Sequence, residues 1–218
     1  KKSPTRQATS KQNKMGNVPL VVDMPIDPVS GEEKSDNYIN VFVPEKGKVK
    51  VELSQLLHWS LYEIKQLIGR AQQILHNRDV GRRTFQWITK FSQKTATSIF
   101  GHLDDFRKGK IDYYEVVLIL IMCSHSHYRE KVRFVMKTFD FDGNNTVSDD
   151  EMTSMVIAAI NGLRRLSNGT YLSNRHLEIV AQSIFAQVDI AAENSVTYPE
   201  VIRYVENNIV LMEFMQQF

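Results

Sequence analysis

Twelve consecutive residues, 140–151, carry oxygen-bearing groups at a spacing that strongly limits how the chain can fold around them. Positions 1, 3, 5, 7, 9 and 12 of such a stretch can direct oxygen atoms at one point, the seventh through its backbone carbonyl and the last through both carboxylate oxygens. These positions hold Asp140, Asp142, Asn144, Thr146, Ser148 and Glu151. Because the set has no His or Cys to attract zinc or copper, it predicts a calcium site built from these six residues.

The middle of this stretch and its flanks fit the same interpretation. Position 6 must adopt a positive φ, and it holds Asn145, which tolerates that conformation better than most other non-glycine residues. Apolar residues flank the stretch at helical spacing: Val132, Val135, Met136, Phe139, Met152, Met155 and Val156. Helix, twelve-residue loop and helix are the layout of the EF-hand motif. The alternative is an acidic surface loop that only resembles a site.

Two earlier units have a similar layout without a full set of ligands. In the loop 104–115, Glu115 stands at position 12, but Phe106 and Lys108 stand at positions 3 and 5, where oxygens are needed. A lysine ammonium group opposes a divalent cation, so we expect no calcium there. The segment 76–83 keeps only the helix–loop–helix pattern.

A fourth loop, 189–200, follows the complete one. The ligand positions that it retains are Asp189, Glu193, Thr197 and Glu200. Ala191 removes the ligand at position 3, which makes calcium binding in this loop doubtful. Between the two loops, the helix that follows 140–151 is predicted to end near Ile160, with Gly162 as its stop signal.

Repeats of this length must stack to bury their apolar faces. We therefore predict an all-α fold of two lobes, each made of two paired helix–loop–helix units. The predicted division is a polar arm over 1–53, an N-terminal lobe over 54–124 and a C-terminal lobe over 125–218. Within the arm, β-prone runs predict a short hairpin over 38–53.

The start of the chain is basic. It carries Lys1, Lys2, Arg6, Lys11 and Lys14 and no acidic residue within the first fourteen positions. Such an arm is either disordered or an electrostatic tether to an acidic surface, such as anionic lipid, nucleic acid or an acidic protein tail or filament. Because the chain begins with Lys, we expect it to be a fragment or a processed chain.

Composition narrows the class of protein. The net charge of +2 gives no reason to expect nucleic acid binding, and the longest apolar run, Val116–Cys123, is too short to span a membrane. A single Cys123 favours a reducing, cytoplasmic compartment. His125 and His127 lie near it, but no phosphate cradle or catalytic dyad accompanies them, so we expect no enzyme.

The layout of four helix–loop–helix units, with a degenerate first unit and a longer connector between the third and the fourth, resembles the calcineurin B and recoverin branch of the EF-hand superfamily. The likeness covers about 55–218. The segment 129–139, which enters the third loop, and the predicted helix 206–214, which follows the fourth, resemble the calaxin family of ciliary outer dynein arms, although the long arm and two degenerate loops depart from that family. The resemblance implies a calcium-binding protein that acts on a protein partner, in a cytoskeletal or ciliary axonemal setting.

Three functions remain open at this stage. The leading one is an adaptor that docks a partner's helix in an apolar groove, which calcium opens by reorienting Met152 and Met155. The same methionines can equally be ordinary core. The apolar end of the chain, 204–218, either fills that groove or faces the partner. The alternatives are a structural subunit without calcium switching and a regulatory part of a larger enzyme.

Overall fold

The chain is described here from a computed structural model, which covers residues 17–23, 38–44, 51–75, 77–167, 172–189 and 194–216. Helices make up most of these residues, and the sheet structure among them consists of two-stranded pairs. This confirms the predicted all-α EF-hand fold. None of the described helices is long and apolar enough to cross a membrane. The basic residues of the arm lie outside the described ranges.

The hairpin near the start of the chain differs from the predicted one. β1 (Asn17–Asp23) pairs antiparallel with β2 (Tyr38–Pro44), with Leu20 opposite Val41. The run 49–53 was predicted as the second strand, but its described residues begin a 3-10 helix, Val51–His58, that buries Leu53, Leu56 and Leu57. The prediction of a hairpin over 38–53 is therefore wrong, because the partner of β2 lies earlier in the chain.

Two helix–loop–helix units follow. Their elements are α1 (Leu61–Gln72), β3 (Asp79–Gly81), α2 (Arg82–Thr89), α3 (Gln93–Leu103), β4 (Lys110–Asp112) and α4 (Tyr113–Met122). Ser60 caps α1 through a capping box with Glu63. β3 pairs antiparallel with β4, which places Val80 opposite Ile111 and joins the two units through their loops.

The second half of the described chain repeats this arrangement. It contains α5 (Tyr128–Phe139), β5 (Val147–Ser148), α6 (Asp149–Ser167), α7 (Asn174–Val188), β6 (Ser195–Val196), α8 (Tyr198–Asn207) and α9 (Ile209–Gln216). β5 pairs antiparallel with β6, with Val147 opposite Val196. The β1–β2 hairpin lies against α6, α7 and α9. The division of the chain at 53 and 124 stays a prediction.

Two helix boundaries differ from the sequence prediction. Gly162 lies inside α6 and does not end it. A Cβ at this position would lie 3.0 Å from the carbonyl oxygen of Glu115 on α4, so a larger residue would be too close to α4. Close packing of two helices therefore explains this glycine. The predicted helix over 206–214 is interrupted at Asn208, whose extended backbone separates α8 from α9 and whose Oδ1 accepts from the Leu211 amide.

The apolar helix α4 lies at the centre of the core. Every residue of it except Tyr114 is buried, and α5 and α6 both pack against it. Burial on all sides explains why its sequence is apolar without a helical period. Because α4 contacts elements of both halves of the described chain, the core is continuous between them.

Candidate metal centre

The loop 140–151 begins where α5 stops and ends in the first turn of α6. Asp140 is the C-cap residue of α5, with its amide bonded to the Met136 carbonyl. The backbone then turns through positive φ values of 74° at Gly143 and 66° at Asn145. The prediction for Asn145 is confirmed, whereas the turn at Gly143 was missed although glycine is itself a signal for such a conformation.

Three carboxylates converge inside this loop. One oxygen atom from each of Asp140, Asp142 and Glu151 lies within 4.8 Å of the other two. Calcium binds oxygen at about 2.3–2.6 Å, so ligands on opposite sides of the ion are separated by about 5 Å. The observed spacing of the three oxygens therefore suits a single calcium ion between them.

The other three predicted ligands are hydrogen-bonded within the loop. The Oδ1 of Asn144 accepts from the amide and the hydroxyl of Thr146, at 2.7 and 2.6 Å. The hydroxyl of Ser148 donates to Oε2 of Glu151 at 2.9 Å. These residues lie beside the carboxylate cluster and stabilise its shape, and the full six-residue ligand set stays a prediction.

The local environment keeps Glu151 ionised. Burial of this side chain raises its pKa, but hydrogen bonds from the amides of Ser148 and Phe141 and from the Ser148 hydroxyl outweigh that effect, so its pKa is lowered from 4.5. The amide of Phe141 donates to Oε1 at 2.7 Å and that of Ser148 to Oε2 at 2.9 Å. Glu151 is 7 % exposed. An ionised, nearly buried carboxylate at position 12 is the group that a divalent cation needs to close the loop.

This donor set fits calcium better than other common metal ions. All six candidate ligands offer oxygen, which a hard cation prefers, and three of them carry a negative charge. Calcium is therefore the cofactor that suits the chain, at one site formed by the loop 140–151. When bound, it would supply a positive charge that draws these groups together.

Protein groups bond to the carboxylates at both ends of the loop 104–115. The carboxylate of Asp104 accepts from the amides of Lys108 and Gly109, at 2.8 and 2.7 Å. The Lys108 ammonium lies 5.0 Å from the ring centre of the exposed Phe106. Glu115, at position 12, accepts a hydrogen bond from Arg165 on α6. The expectation that this loop holds no calcium agrees with this chemistry and stays a prediction.

The loop 189–200 is described only at its two ends. Asp189 Oδ2 accepts from the Asn194 amide at 3.1 Å, and Asn194 has a φ of 59°. Glu200 accepts from the amide and the hydroxyl of Thr197, at 2.8 and 2.6 Å. Ala191 and Glu193 lie outside the described residues, so calcium binding here stays an open prediction.

An apolar groove of about 140 Å³ lies behind the calcium loop. Its walls include Met152, Met155, Val156, Ala159, Ile160 and Leu163, all from α6. Met152 is buried, whereas Met155 is half-buried. Leu211 and Met215 of α9 also line the groove, and Met215 is only 3 % exposed. The C-terminal segment thus contributes to the groove of its own chain, and its contact with a partner stays a prediction.

Sequence reasoning missed two basic side chains that matter near these sites. Lys131 is fully buried and bonds to the carbonyls of Met122 and Met215. Arg165 contacts the loop 104–115 from α6. A lysine in the middle of the apolar face of α5 was the available signal for the first. No sequence signal points to the second, because its partners lie fifty or more positions away.

The paired loops, the flanking helices and the carboxylate cluster together define an EF-hand protein. No protein-family model matches the chain. It is similar to guanylyl cyclase-activating protein 3 of Homo sapiens, with 21 % identity over 158 residues, which cover 72 % of this chain and 64 % of that protein. It is also similar to guanylyl cyclase-activating protein 1 of Gallus gallus, with 24 % identity over 156 residues, 72 % of this chain and 68 % of that protein.

A third relative is guanylyl cyclase-activating protein 1 of Lithobates pipiens, 23 % identical over 124 residues, which cover 57 % of this chain and 58 % of that protein. The chain therefore spans less than two thirds of the human and frog relatives that it matches. These likenesses support the recoverin-type resemblance drawn from the sequence. They do not bear on the calaxin resemblance.

Proposed function

We propose that this protein is a calcium-responsive regulator that binds a protein partner and has no catalytic activity of its own. The observation that carries the proposal is the double role of α6. Glu151, in its first turn, belongs to the carboxylate cluster, and the following turns form a wall of the apolar groove. A cation that binds the Glu151 carboxylate therefore pulls on α6, the helix that forms a wall of the groove.

The similar proteins suggest the kind of partner. All three are named as activators of guanylyl cyclase. We extend this to the present chain as a proposal: the partner is an enzyme of the guanylyl cyclase class, contacted through an amphipathic helix. Because Leu211 and Met215 already line the groove, such a helix would have to displace α9 or bind beside it. Localisation in the cytoplasm is a further proposal.

The test is a calcium titration by calorimetry, with tryptophan fluorescence as the conformational readout. Wild type should bind calcium and change its fluorescence. Glu151→Gln, which removes the closing charge, should lose calcium affinity by about a hundredfold or more. Glu178→Gln, an exposed carboxylate on α7, is the matched control and should bind like wild type.

Other outcomes would change the assignment. If Glu151→Gln binds calcium with undiminished affinity, Glu151 is not a ligand of the ion. Binding without a conformational response would favour the alternative of a structural subunit that holds a static ion. A guanylyl cyclase assay with and without calcium then tests the partner class. The cytoskeletal or axonemal setting and the filament tether remain predictions that these relatives do not support.

A further inference from the structure

The far end of α6 is fastened to the first pair of EF-hand units by two arginines. Arg165 Nε donates to Glu115 Oε2 at 2.7 Å, and its Nη1 donates to the carbonyl of Leu103, the last residue of α3. Arg164 Nη2 lies 2.7 Å from Asp105 Oδ2. We call the four side chains Arg164, Arg165, Asp105 and Glu115 the arginine clamp.

The clamp is largely shielded from water. The side chains of Arg164, Arg165 and Glu115 are 9 %, 11 % and 9 % exposed. Buried charge pairs of this kind are costly to break, because removing one partner leaves the other charge without compensation. The guanidinium group is suited to the role, since its planar fork reaches a carboxylate and a carbonyl at once. The contact is therefore a firm attachment.

Glu115 of the clamp stands at a position that binds calcium in an intact EF-hand loop. Glu115 occupies position 12 of the loop 104–115, the counterpart of Glu151 in the loop 140–151. Where calcium would hold this carboxylate in an intact loop, Arg165 holds it here. The second unit is thus closed by a positive charge that belongs to another unit of the same chain.

A single helix links the clamp with the calcium loop. α6 runs from Asp149 to Ser167, so Glu151 and Arg165 lie on it about 20 Å apart at 1.5 Å per residue. Between them, Gly162 packs so closely on α4 that an added Cβ would come within 3.0 Å of the Glu115 carbonyl oxygen. A shift of α6 at either end is therefore transmitted to the other end rather than absorbed in a loop.

We propose that the arginine clamp sets the calcium affinity of the loop 140–151 by holding α6 in the position that binds the cation. With the clamp closed, the oxygens of Asp140, Asp142 and Glu151 already converge within 4.8 Å. The clamp and the calcium ion thus favour the same position of α6. By linkage, a closed clamp raises the calcium affinity, and bound calcium stabilises the closed clamp. Arg164 and Arg165 are positioning residues that touch no ion. This inference rests on the calcium binding proposed above.

The test is calcium affinity by calorimetry in clamp variants. Arg165→Gln should weaken calcium binding by roughly tenfold, within the range of ordinary coupling between sites. Arg165→Lys, which keeps the charge but loses the fork, should weaken it in the same direction by less. Arg175→Gln, an exposed arginine on α7, is the matched control and should leave the affinity unchanged.

A double-mutant cycle separates the clamp from a general loss of stability. Because Arg165 and Glu115 act through one contact, the effects of Arg165→Gln and Glu115→Gln on calcium affinity should not add. Calcium should slow amide hydrogen exchange at Asp104 and Asp105 in wild type and not in Arg165→Gln. Should Arg165→Gln fail to fold, Asp105→Asn and Arg165→Lys provide the same comparison.

The possible failures are distinguishable. If wild type binds no calcium, the proposed function fails together with the inference. If wild type binds calcium and folded Arg165→Gln binds it equally well or more tightly, the inference alone is overturned, and the clamp is a static contact. If the contact is static, Arg165→Gln should lower the melting temperature by the same amount with and without calcium.

Discussion

The ammonium group of Lys131 donates a hydrogen bond of 2.8 Å to the carbonyl of Met215, 84 positions further along the chain. The same group donates to the carbonyl of Met122 at 2.9 Å, and the Lys131 side chain is completely buried. These carbonyls lie at the C-terminal ends of α9 and α4, where the helix dipoles favour a positive charge. Lys131 thus ties α9 to the groove that it lines.

Lys131→Met should loosen α9. The substitution keeps an apolar stem of similar length but leaves the Met215 carbonyl without this donor, so the last helix should open more often. We expect faster amide exchange over Met212–Gln216 and stronger binding of a hydrophobic dye such as ANS. The control is Lys94→Met, on the exposed surface of α3. Unchanged exchange in α9 would show that apolar packing alone holds this helix.

Two glycines in helices should respond to alanine in opposite ways. At Gly162, a methyl group would meet the Glu115 carbonyl oxygen and Ile119 Cγ1 at 3.0 Å, so Gly162→Ala should destabilise the fold by about 1–3 kcal/mol. At Gly69, nothing lies within 4 Å, so Gly69→Ala should stabilise it by about 0.5–1 kcal/mol. Urea unfolding of both variants measures the difference. Equal effects would contradict the close approach of α6 and α4.

Rebuilding the ligands of the loop 104–115 should not by itself create a second calcium site. Phe106→Asp with Lys108→Asp restores carboxylates at positions 3 and 5, but Glu115 remains engaged by Arg165. We expect calorimetry to detect a second ion only when Arg165→Gln is added. A second ion bound by the double variant with Arg165 intact would mean that the guanidinium does not compete for Glu115.

The contact between α5 and α8 should weaken in acid. Glu206 Oε1 accepts from the Tyr128 hydroxyl at 2.8 Å and also from Arg129. The Tyr128 hydrogen bond lowers the pKa of Glu206 from 4.5, burial opposes this, and the charge and hydrogen bond of Arg129 lower the pKa further. A pKa that is lower in the folded state than in the unfolded state stabilises the fold above the unfolded value.

Glu206→Gln should therefore lower the melting temperature at neutral pH. The difference from wild type should shrink as the pH falls below 4.5 and disappear once the pH is below the pKa of the folded state. Melting curves between neutral and strongly acidic pH measure this, with Glu213→Gln as the exposed control on α9. A difference that is constant across this range would assign the effect to something other than ionisation.

The calcium loop could be predicted because its information is local. All six candidate ligands fall within twelve consecutive residues, and the turn at Asn145 follows from the same spacing. The capping box at Ser60 was predictable for the same reason, since its partner Glu63 is three residues away. Features that depend on residues close in sequence follow from the rules of spacing and capping.

The turn at Gly143 and the break at Asn208 are local features that were missed, whereas the other errors concern distant partners. The strand β2 was recognised, but its partner β1 lies upstream, and no local feature of the sequence assigns the two strands to each other. Gly162 has the usual signature of a helix stop, yet packing on α4 continues the helix through it. The contact of Arg165 with Glu115 spans fifty positions and leaves no pattern in the sequence.

The sequence by itself determined the EF-hand class, the one loop with a full set of oxygen ligands and calcium as the fitting ion, because these follow from residue types at short, regular spacing. Only the tertiary structure decided what the rest of the chain does around that loop. It brings Arg165 to Glu115 and α9 to the apolar groove, since burial and charge pairing act on residues that are close in space whatever their separation in sequence.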